Sequence, residues 1–137
     1  MDNAHLQTNG QLGILALESC RDLGDKVNNY IKKKRASSLS SDSCNEQISD
    51  KSYLIPIDEV RFANGEGKVK IEETVRGKDI YILCDIANYC CTYEMFGFKN
   101  HKGPDEHSQD IKRVVSAIGG KTRRVTVIIP ILHFQGL

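Results

Sequence analysis

Hydrophobic positions along the chain fall into two periods, and their alternation predicts strands and helices in turn. Leu12 to Leu17 is a short apolar run that reads as a first strand. From Ser19 the spacing changes, because Cys20, Leu23, Val27, Tyr30 and Ile31 fall on one face of a helix with Ser19 as its N-cap and Asp22 in its first turn. Lys32, Lys33, Lys34 and Arg35 then place positive charge at the C-terminal end, where the helix dipole favours it. Tyr53 to Val60 carries Leu54, Ile55 and Ile57 around Pro56, an edge strand or an extended approach to the glycine-rich turn at residues 64–67. Lys68 to Glu72 alternates, with Val69 and Ile71 on one face and charge on the other, as a half-buried strand does. Ile80 to Cys84 is an unbroken apolar run of the kind covered on both faces. A second helix is predicted from Asp105 to Ile118, with Ile111, Val114, Val115 and Ile118 at helical spacing and Gly119-Gly120 as its stop. Val125 to Ile129 is a further β-branched buried strand closed by Pro130. Strand, helix and buried strand in succession predict a right-handed βαβ crossover in a parallel sheet.

Two stretches break these periods. Residues 36–52 are rich in serine and lack an apolar rhythm, so a mobile surface loop is expected. Residues 85–104 mix Tyr89, Tyr93, Phe96 and Phe98 with Cys90, Cys91, Gly97 and Gly103-Pro104, an insertion packed on the surface. Its aromatics have two readings, a satellite core or a face on which a base could stack.

With 137 residues the chain is expected to form a single domain over 1–137, long enough to bury about two-thirds of its unfolded surface. A net charge of +1 argues against a polyanion-binding surface, hence no nucleic-acid partner is expected. No apolar run nears the length of a membrane span and no leader is visible, so a cytoplasmic protein with no membrane partner is expected. Five cysteines, an odd number without framework spacing, suit a reducing compartment. Cys90 and Cys91 with His101 and His107 match no common zinc spacing, so no metal site is assigned; Cys84 reads as a small core residue.

The segment from Arg61 to Asp79, RFANGEGKVKIEETVRGKD, is the most informative. Asn64-Gly65 and Gly67 supply a sharp turn with Phe62 at its tip, and Thr74 to Asp79 is a basic turn into the buried strand. This order resembles the amino-terminal domain of ribose-phosphate pyrophosphokinases (phosphoribosyl pyrophosphate synthetases), in which RFS(D/N)GE precedes a short alternating strand and then ES(V/I)RG(K/E)D. The resemblance implies an α/β, phosphoribosyltransferase-like parallel sheet with helices on both faces and a short antiparallel edge hairpin. It further implies that Phe62 stacks on adenine while Asn64 and Glu66 make polar contacts to the base edge or sugar, in a neighbouring subunit's site. Thr74 and Arg76 correspond to an allosteric phosphate site between subunits. The family reaction moves the β,γ-diphosphoryl group of ATP to the 1-hydroxyl of ribose 5-phosphate with Mg2+.

Family members are longer, and the match covers their first half, so no catalytic residue is assigned here. The chain is expected to be incomplete and inactive alone, acting with itself or with a full-length synthetase subunit. The alternative is a non-catalytic regulatory or associated subunit. Residues 131–137 lack the family's Arg-Gln pair for the nucleotide phosphates; Gln135 stands without an arginine beside it.

Overall fold

A computed structural model describes residues 10–39 and 51–130. Its centre is a parallel sheet of β1 (Leu12–Ala16), β4 (Asp79–Leu83) and β7 (Arg124–Ile128), with β4 in the middle. Leu12 pairs with Asp79, and Asp79 with Arg124, so the three strands start level. Ile80, Ile82, Leu83 and Cys84 are fully or almost fully buried, as the unbroken apolar run predicts. Successive side chains of a strand point to opposite faces. Ile14 and Leu83 therefore meet Cys20, Val27 and Ile31 of the first helical segment, while Leu15, Ile80 and Ile82 meet Val114 and Ile118 of the second. Helices thus cover both faces of an α/β sheet.

The first helical segment departs from expectation at both ends. Glu18–Cys20 is a 3-10 turn and α1 runs from Arg21 to Leu39. Ser19 is not its cap, since the Ser19 hydroxyl accepts the Asp85 N–H at 3.0 Å. Helix continues through Ala36 to Leu39, in place of the expected loop, because the Ser37 and Ser38 hydroxyls donate to the Lys34 carbonyl at 2.8 and 3.0 Å instead of competing with the helix. Tyr30 is largely exposed and lies off the buried stripe. Of the serine-rich segment, residues 40–50 lie outside the described residues.

Tyr53 to Ile55 makes an extended approach along β1. Ile14 donates to the Tyr53 carbonyl and accepts from Ile55, and buried Asn28 accepts the Tyr53 N–H at 2.8 Å. The chain then forms an antiparallel hairpin of β2 (Ile57–Arg61) and β3 (Gly67–Ile71), with Val69 inward and Lys68 and Lys70 outward as the alternation requires. The 85–104 insertion contains a second hairpin, β5 (Thr92–Met95) and β6 (Phe98–His101). It does not form a satellite core: Tyr89, Phe96 and Phe98 are 66%, 71% and 75% exposed. α2 (Pro104–Ile118) packs on β3 and ends at Gly119, whose left-handed backbone (φ 59°) returns an N–H to Val115.

β7 also departs from its expected burial. Val127 and Ile128 are each 40% exposed, because β7 pairs with β4 on one side and no described strand pairs with its other edge.

Candidate functional site

Strands β2 and β3 close at the Arg61–Gly67 pair and leave Phe62 to Glu66 as the connecting loop. Its backbone is self-satisfied: Phe62 N–H donates to Glu66 O at 2.8 Å, and Gly65 N–H to Phe62 O at 2.8 Å. Asn64 Oδ1 accepts the Glu66 N–H at 3.0 Å, which holds the side chain across the turn and leaves one oxygen lone pair and the Nδ2 donors unused. Gly65 carries the positive φ of 87° that lets the loop turn. Phe62 is 47% exposed, and Asn64 and Glu66 are exposed. The three sequence-assigned residues therefore sit together on one fixed turn.

The root of this loop is held by a buried ionic network that sequence reasoning missed. Arg61 donates to Gly65 O at 3.0 Å and to Asp110 Oδ1 at 3.3 Å, and its guanidinium lies 4.6 Å from the Tyr93 ring centroid. Arg113 donates to the same Asp110 oxygen at 2.6 Å, and its guanidinium lies over Gly67, where a β-carbon would come within 2.6 Å of it and force it to shift. Lys102 Nζ donates to Asp110 Oδ2 and to Glu18 Oε2, each at 3.1 Å, with Glu59 Oε1 at 3.9 Å. Glu59 in turn accepts the Glu18 N–H at 2.7 Å. Burial pushes the Glu59 carboxyl above its ordinary value, against the Glu18 N–H and Lys102, which favour the anion. Burial alone would lower Lys102, but Asp110, Glu59 and Glu18 outweigh it and leave its pKa raised. Lys102 Nζ thus stands among three carboxylates where a cation would otherwise be needed. Part of the network faces a cavity of about 510 Å³ lined by Glu18, Asp58, Glu59, Arg61, Tyr93 and Lys102.

Thr74 and Arg76 lie elsewhere. They are exposed on the turn between β3 and β4, where the Arg76 N–H points to Thr74 Oγ1 at 3.4 Å. The length of β3 separates them from the Phe62 loop, about 16 Å at the usual rise of a strand. The structure does not bring the two groups together.

The two candidate histidines are spent internally, and Cys90 is an exposed free thiol. His101 Nδ1 and His107 Nε2 lie 2.7 Å from the carbonyls of Tyr89 and Asn88, and His101 also stacks on Tyr89. Burial pushes the Cys84 thiol up to about 11, so it is an inert core residue. Among the described residues no three His, Cys, Asp or Glu side chains form a metal-holding group, and no helix is long and apolar enough to cross a membrane. An apolar cavity of about 500 Å³ opens between α1 and the sheet, but its charged residues are already engaged, Asp79 and Arg124 with each other by two hydrogen bonds and Arg35 over the Tyr53 ring at 4.7 Å. We therefore place the candidate site at the β2–β3 loop.

A parallel α/β sheet with helices on both faces and a hairpin projecting an exposed aromatic loop defines a phosphoribosyltransferase-like amino-terminal domain. The family model described as the N-terminal domain of ribose phosphate pyrophosphokinase matches residues 12–135, and the chain belongs to that family. No curated protein matches it.

Proposed function

We propose that this domain supplies the adenine-side loop for ATP-dependent transfer of a diphosphoryl group to ribose 5-phosphate, and that it acts in the site of a neighbouring subunit. The observation that carries this reading is an exposed Phe62 on a loop whose backbone is closed and whose root, Arg61, is locked by Asp110 and Tyr93. Such a side chain presents an aromatic face at small entropic cost, because the backbone beneath it is already ordered. Asn64 Nδ2 can donate to an acceptor on the base or sugar, and the Glu66 carboxylate can accept from an exocyclic amine.

Transfer itself needs cations around two polyanions and a metal. The described residues do not fit a resident magnesium, because Lys102 occupies the one place where Glu18, Glu59 and Asp110 converge. The domain binds and orients; the reacting groups belong to the family's second domain. Thr74 and Arg76 are proposed to contact a regulatory phosphate between subunits, since both are exposed on one short turn. A second copy of this chain or a complete synthetase subunit is the proposed partner.

The test is titration of ATP into an assembly of this chain with a complete synthetase subunit. Phe62→Ala should weaken binding about five-fold to a hundred-fold, the range expected for loss of one base–aromatic stack. Lys68→Ala, on the exposed face of β3, should leave it unchanged. Equal affinities for the wild-type chain and Phe62→Ala would refute the assignment.

A further inference from the structure

The inserted hairpin ends in a turn that its own folding does not explain. Phe96 and Gly97 are the two residues between paired Met95 and Phe98, with φ of 50° and 80°. Two left-handed central residues make a type I′ turn, which Asn-Gly or Asp-Gly builds with least strain. A phenylalanine is disfavoured there, because its β-carbon crowds the backbone. Nor does Phe96 fill a core, being 71% exposed. The turn is nevertheless fixed in place. Phe96 N–H donates to Ala63 O at 2.7 Å, and Met95 packs on Gly65 so tightly that a β-carbon there would lie 2.8 Å from the sulfur. Tyr93, on the same hairpin, carries Arg61 over its ring. These contacts tie the turn to residues 61–65, the loop that presents Phe62. Phe62 and Phe96 thus stand on adjoining, hydrogen-bonded turns, and among the described residues neither stacks on another ring.

We propose that Phe96 is the second aromatic wall of the adenine site, so that the purine of a bound nucleotide lies between Phe62 and Phe96. This inference rests on the adenine-side reading of the Phe62 loop. A wall on each side of the base removes both of its faces from water, and a purine offers a larger face than a pyrimidine. The strained turn residue is then retained for binding, a trade of stability for function common at ligand sites.

The chain contains no tryptophan, so Phe62→Trp and Phe96→Trp each place one reporter in it. ATP is titrated into the assembly with a complete synthetase subunit, and fluorescence is read as the difference from the same assembly made with the wild-type chain. Quenching of both reporters with one midpoint is expected. Quenching at position 62 alone overturns the second wall and leaves the loop assignment standing, whereas quenching at neither overturns both. A signal at position 96 that follows chain concentration and ignores ATP overturns the proposal in favour of a contact between copies.

Phe96→Gly supplies a second measurement that misfolding cannot confuse, since glycine suits a left-handed position. Its melting temperature should rise, its ATP affinity should fall about five-fold or more, and its preference for ATP over CTP should narrow. A more stable variant with unchanged affinity would overturn the proposal.

Discussion

Removing the Asp110 carboxylate should loosen the nucleotide loop from below. Asp110 is buried on α2 and accepts from Lys102, Arg113 and Arg61 at 3.1, 2.6 and 3.3 Å. In Asp110→Ala all three cations lose this partner, and only Lys102 is itself deeply buried, with its side chain 4% exposed. Breaking a buried pair from one side destabilises by about 3–5 kcal/mol, because the remaining charge stays out of water. Lys102 keeps Glu18 at 3.1 Å, although that carboxylate is 43% exposed, which places the expected loss near the low end, about 3 kcal/mol. Such a loss lowers the folding constant roughly a hundred-fold. Urea unfolding followed by far-UV circular dichroism measures it, provided the m-value is unchanged. Replacing both partners, Lys102→Met with Asp110→Leu, should recover part of the stability, since the Lys102 ammonium is no longer buried without Asp110, while buried Glu59 loses Lys102 but keeps the Glu18 N–H and Arg21 at 3.8 Å. Hydrogen exchange adds a local readout: the Gly65 amide, bonded to Phe62 O within the loop that Arg61 anchors, should exchange faster in Asp110→Ala. A single variant within about 1 kcal/mol of wild type would refute the reasoning. So would a double variant no more stable than the single one.

Glu59 predicts a specific pH dependence. Burial raises its folded pKa above the ordinary 4.5, so between 4.5 and the raised value the folded state holds more proton than the unfolded one, and stability falls as pH rises through that window. Glu59→Gln should flatten that part of the curve in denaturation midpoints taken from pH 4 upward; an unchanged slope would show that another group is responsible. The apolar surface of β7, with Val127 and Ile128 partly exposed and no described strand beyond it, should drive self-association. Light scattering that finds a 15.3 kDa species across a wide concentration range would contradict this. The 137-residue chain incubated with ATP, magnesium and ribose 5-phosphate should form no phosphoribosyl pyrophosphate, and enzyme-dependent AMP matched to that product would overturn the expectation.

Legible in the sequence is whatever a local period records. The run Ile80 to Cys84 predicts a covered strand, and the Lys68–Glu72 alternation predicts which side chains of β3 face inward, because each signal lies within a few consecutive residues. Burial of β7 is not legible in the same way. Val125 to Ile129 is as apolar as β4, but whether a strand is central or at an edge depends on what pairs beside it. The ionic network escapes for a related reason, since Glu18, Glu59, Lys102 and Asp110 come from four separate segments and have no common spacing. One local clue exists: His107, Asp110, Val114 and Ile118 share the buried stripe of α2, so two polar residues stand where the helical period calls for apolar ones. A buried polar residue has to be satisfied by a partner, and for Asp110 that requirement points beyond the helix to cations brought by other elements. The aromatics of the insertion suggest mutual packing by their number, yet they form no core. Gly97 carries the missing information, since a glycine beside Phe96 between two short alternating segments marks a two-residue turn. Side chains at such a turn lie past the last strand pair, where no sheet face can cover them. Phe96 is therefore exposed by its position in the hairpin, and its place beside the Phe62 loop comes from the hydrogen bond to Ala63, which no sequence period encodes.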